Sequence, residues 1–68
     1  MKEEALKAAV ARFLKNVNFT AQREIEKALR KAIASGELKG DETITAGVTL
    51  SSETVALNVT IYSKIELR

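Results

Sequence analysis

The apolar residues of this 68-residue chain change their period once, at Gly40-Asp41, and that switch limits the fold more than any other feature. Ahead of it they recur every three or four positions, the spacing of one face of a helix. After it they alternate, the spacing of one face of a strand. The pattern predicts helices followed by a hairpin, an α+β arrangement.

Leu6, Val10, Phe13, Leu14 and Val17 form the first helical stripe, in a segment rich in alanine, lysine and glutamate. Asn16-Val17-Asn18-Phe19 then interrupts the good helix formers, and Thr20 has the side chain of an N-cap. Ala21, Ile25, Ala28, Leu29, Ala32 and Ile33 continue as a second stripe, and Gly36 stands where a left-handed residue would close the helix. The reading is therefore two helices, about 3–17 and 20–35, joined as an αα-hairpin. The chain has no proline to break either one.

Two strands follow, about 42–50 and 54–67. With the turn at Ser52-Glu53, Leu50 faces Val55, Val48 faces Leu57, Ala46 faces Val59 and Ile44 faces Ile61, so every apolar residue shares one side. A loop of two or of four residues keeps that parity. The expected fold is ααββ, one domain over residues 1–68, with the helix pair packed on the apolar face of the hairpin. In this register the second strand outruns the first, leaving Ile65 and Leu67 unmatched. Both edges of the two-stranded sheet carry few charges and no proline, so they invite another strand.

Composition narrows the chemistry. Histidine and cysteine are both absent, which removes the commonest acid/base catalyst, the thiolate nucleophile and the disulfide. Glu24 and Glu26 are two apart on a helix and point to different sides. Gly36, Gly40 and Gly47 are too scattered to cradle a phosphate. Glu37, Asp41 and Glu42 cluster without the ligand spacing of a calcium loop. We expect no catalytic residue, no metal site and no cofactor. The net charge is +2, and no apolar run approaches the roughly 20 residues that cross a bilayer. The start of the chain also lacks a signal-peptide pattern, so the expectation is a soluble cytoplasmic protein without a membrane partner.

Two surfaces remain as candidate sites. Arg23, Lys27, Arg30 and Lys31 gather along one helix flank able to contact phosphates, though Glu24 and Glu26 share that helix and the hairpin tip carries no basic residue. Tyr62, Ile65 and Leu67 mark a strand for self-association, and Tyr62 with the gap at Gly47 marks a docking point on the threonine-rich face.

Four segments also carry a family resemblance: Phe13-Leu14-Lys15 at a helix end, Thr20-Ala21-Gln22-Arg23-Glu24-Ile25-Glu26 at a helix start, Ala34-Ser35-Gly36 at a helix stop and Leu38-Lys39-Gly40 at a turn. Over Phe13 to Ile44 the chain resembles an uncharacterised family of short bacterial proteins, a domain of unknown function. The resemblance implies no activity. The leading expectation is a non-enzymatic interaction or self-assembly module, a homodimer. Nucleic-acid binding through the basic flank is the alternative, and a designed scaffold whose only role is to fold is a third reading.

Overall fold

A computed structural model of the chain describes residues 2–68. It contains one helix, α1 (Glu3–Ala34), and two strands, β1 (Thr43–Ser52) and β2 (Leu57–Glu66). These fall into two compact units, one ending at Glu37 and the other beginning at Leu38. The α+β class stands, but the expected helix pair is a single helix of 32 residues.

The reason lies in the segment taken as a break. Asn16, Val17, Asn18, Phe19 and Thr20 each cost only about 0.5–0.7 kcal/mol relative to alanine in a helix, and none is a glycine or proline. The apolar phase also runs straight through, since Val17, Ala21 and Ile25 follow one another at intervals of four. Thr20 therefore sits in mid-helix and caps nothing. The true start is at Lys2, where Glu3 and Glu4 place negative charge beside the free amides of the first turn.

The stop is where the sequence puts it. The Ser35 amide donates to the Lys31 carbonyl at 3.0 Å and the Gly36 amide to the Ile33 carbonyl at 3.2 Å. Gly36 has φ +85°, a left-handed conformation that costs glycine little.

β1 and β2 pair antiparallel from Thr43 opposite Glu66 to Ser52 opposite Leu57. The expected parity holds and the expected register does not. Leu50 faces Val59, Val48 faces Ile61 and Ile44 faces Ile65, so β2 has slid by four residues. The loop is Glu53–Ala56, four residues long. Ser52 ends β1 and its Oγ accepts the amides of Thr54 at 3.0 Å and Val55 at 3.2 Å, tying the first half of the loop to the strand end. This register uses both strands to their ends. Ile65 lies opposite Ile44, and the Leu67 amide donates to the Glu42 carbonyl at 3.0 Å. The expected overhang at Ile65 and Leu67 does not exist.

None of the described residues is buried. Leu6, Val10, Phe13, Leu14, Val17, Ile25 and Ile33 of α1 are all exposed, as are Val48, Leu57, Val59 and Ile61 of the hairpin.

Candidate functional site

Arg23, Lys27 and Arg30 do line one shallow hollow on α1, but Glu24 and Glu26 line it with them. The Glu26 carboxylate accepts from Gln22 Nε2 at 2.9 Å and from Arg30 at 3.0 Å, a run of partners at intervals of four. The Gln22 hydrogen bond, followed by that of Arg30, holds the Glu26 carboxyl below its ordinary range. Its negative charge is thus fixed within the basic flank and satisfies one of the four cations. Glu26 and Arg30 stand at the four-residue spacing of a helical ion pair, and Gln22 joins them as a further donor.

Tyr62, Ile65 and Leu67 do not form one surface. The pleat places Tyr62 on the threonine side, while Ile65 and Leu67 lie half-buried on the apolar side. Tyr62 faces Gly47 across the ladder, and its ring fills the expected gap: a Cβ added at Gly47 would stand 2.8 Å from Cε1 and 2.9 Å from Cδ1. An aromatic ring laid over a strand glycine covers backbone that glycine leaves bare. Beside it the Thr49 and Thr60 hydroxyls share a hydrogen bond of 3.0 Å. The ring and this hydroxyl pair occupy the middle of the threonine face, and Gly47 offers no vacant docking point.

Glu42 has a structural use that composition could not show. Its Oε2 accepts the Lys39 amide at 2.8 Å, and its Oε1 accepts those of Gly40 at 2.9 Å and Asp41 at 3.2 Å. Bonding first to the Lys39 amide and then to that of Gly40 favours the charged form and holds the Glu42 carboxyl below the usual glutamate range. The carboxylate acts as the anchor of the turn into β1. Gly40, at φ 105°, supplies the left-handed residue this turn needs.

Apolar side chains also remain exposed on both elements. On α1 the stripe runs from Leu6 to Ala32, with an open hollow between Phe13, Asn16, Val17, Thr20 and Ala21. Phe13 is 57% exposed beside it. On the hairpin, Val48, Leu57, Val59 and Ile61 share a face, each 42–53% exposed. Apolar surface of this continuity is the mark of a protein contact site. No described helix is long and apolar enough to cross a membrane.

The family model of DUF6494, a family of unknown function, matches residues 1–68. The resemblance over Phe13 to Ile44 thus extends to the rest of the sequence. No curated protein and no solved structure gives a significant match.

Proposed function

This chain belongs to the DUF6494 family, whose membership supplies no activity, and we propose that it is a small self-association module whose copies cover one another's apolar surface. One observation carries the reading: 46% of the residues are hydrophobic, yet none of those described is buried. Leaving such surface in water forgoes about 25 cal/mol for every Å² that a partner would cover. A two-stranded hairpin is also marginal by itself, so association supplies stability as well as specificity.

The matched strand ends move the interface from where the sequence put it. With Ile65 paired to Ile44 and Leu67 bonded to Glu42, the overhang no longer argues for strand addition, although both outer edges of the two-stranded sheet stay open. The apolar faces take its place. The role is binding and not catalysis, in the cytoplasmic setting that the sequence favours. Nucleic-acid binding is the weaker reading because Glu26 sits inside the basic flank.

Light scattering at tens of micromolar tests this. At least twice the chain mass of 7.4 kDa is expected, and the mass of one chain would remove the proposal.

A further inference from the structure

The two outer edges of the hairpin are not equivalent. The Leu67 amide donates to the Glu42 carbonyl at 3.0 Å directly across the ladder, and bonded and non-bonded pairs alternate along antiparallel strands. Ile44, Ala46, Val48 and Leu50 therefore bond to β2, while the amides and carbonyls of Thr43, Thr45, Gly47, Thr49 and Ser51 point away from it. The side chains agree: the Thr49–Thr60 hydroxyl pair at 3.0 Å and the Tyr62 ring against Gly47 are the close approaches of non-bonded pairs. The sheet has two strands, and all five of these β1 residues are exposed.

A row of alternating backbone donors and acceptors is matched along its length by another extended strand. The β1 edge carries no guard against one. Its ten residues include no charge and no proline, and its register runs without a bulge, whereas Lys64 and Glu66 stand on the outer edge of β2.

Resting on the self-association reading, we propose that β1 pairs antiparallel with β1 of a second copy, about a two-fold axis through Gly47, to make one four-stranded sheet. Thr45 of one copy then lies opposite Thr49 of the other, and Thr43 opposite Ser51, with outward groups meeting outward groups. Ile44 meets Leu50 and Ala46 meets Val48, so all four apolar residues of the strand find apolar neighbours on one side. This fixes the register. An axis at Ala46 would set Leu50 against Glu42, an axis at Val48 would set Ile44 against Ser52, and an axis between residues would put opposite faces together. An uncharged strand also meets its own copy with no like charges opposed.

The bonds suffice. Five outward amides on each copy give about ten hydrogen bonds, the number that a specific interface typically carries. Pairing takes the sheet past the roughly three strands at which an apolar-faced sheet stands by itself. The contact uses the same edge twice and closes on itself, leaving the charged β2 edges at the two ends.

Amide hydrogen exchange on the full chain, read by NMR at a concentration where light scattering gives two chains, tests the pairing. The Thr45, Gly47 and Thr49 amides should exchange at least about tenfold more slowly than those of Thr60, Tyr62 and Lys64. Two prolines give a separate reading, because residues 45 and 64 face one another as a non-bonded pair and neither amide serves the hairpin. Thr45→Pro should weaken dimerisation at least about tenfold, and Lys64→Pro should leave it unchanged. Fast exchange on both edges of a two-chain species, or an equal or larger loss from Lys64→Pro, overturns the β1 pairing and leaves self-association standing. A single-chain mass at every concentration overturns both.

Discussion

Thr20→Ala separates one helix from two by the sign of its effect. If Thr20 capped a second helix, its hydroxyl would hold an amide of the first turn, and alanine would cost about 1 kcal/mol. In α1 it lies in an exposed helical interior seventeen residues after Glu3 and fourteen before Ala34, where the amides ahead of it are already bonded within the helix. There threonine only pays its poor helix propensity, so alanine should stabilise by about 0.6 kcal/mol. For a chain of this length that corresponds to a rise of about 3–4 °C in Tm. Thermal unfolding followed by circular dichroism at 222 nm, at one fixed protein concentration, reads the difference. A fall of several degrees would refute the continuous helix and restore the helical hairpin.

Three further predictions concern the hairpin. Gly47→Ala forces the Tyr62 ring from its place, because the new Cβ would stand under 3 Å from two ring carbons; the near-ultraviolet circular dichroism of the single tyrosine should change. Stability should shift by less than about 1 kcal/mol, since the gain in strand preference offsets the lost contact, and an unchanged tyrosine signal would contradict the packing. Ser52→Ala removes the acceptor of the Thr54 and Val55 amides and should cost about 1 kcal/mol, with faster hydrogen exchange at both amides; unchanged exchange would place the loop elsewhere. Glu42 binds the loop amides in its charged form, so its contribution is complete above the ordinary glutamate range, near 4.3. It is lost as the pH falls below that through the lowered value. The Gly40 amide resonance should titrate with a midpoint under about 4.3, and a midpoint above it would contradict the anchor.

The pattern of the chain carried its class, the helix stop and the parity of the hairpin. Gly36 was legible because a left-handed stop has a residue preference of its own, and the faces of the strands because alternation permits only one parity. The join at residues 16–20 was misread for a physical reason: two asparagines and a threonine look like a boundary when local propensity is weighed alone. The unbroken sequence Val17, Ala21, Ile25 decides for continuity once no breaker is present. The strand register depended on side chains acting at a distance in sequence. Ser52 capping its own loop, Tyr62 covering Gly47 and Thr49 meeting Thr60 all select the observed pairing, and alternation is blind to each. On the basic flank the four-residue spacing of Glu26 and Arg30 made their ion pair legible, whereas the Gln22 donor that completes the ladder has no signal in the charge pattern.

On the proposed function a second copy covers the apolar stripe of α1. Sedimentation equilibrium from about 1 to 100 micromolar, on the natural chain and on Leu14→Glu, tests it most directly. Leu14 is exposed, and glutamate is a good helix former, so the substitution leaves the isolated helix intact while placing charge on the seam. The natural chain should approach twice 7.4 kDa as concentration rises, and the variant should remain at 7.4 kDa throughout. Equal masses for the two proteins, whether of one chain or of two, would contradict the claim.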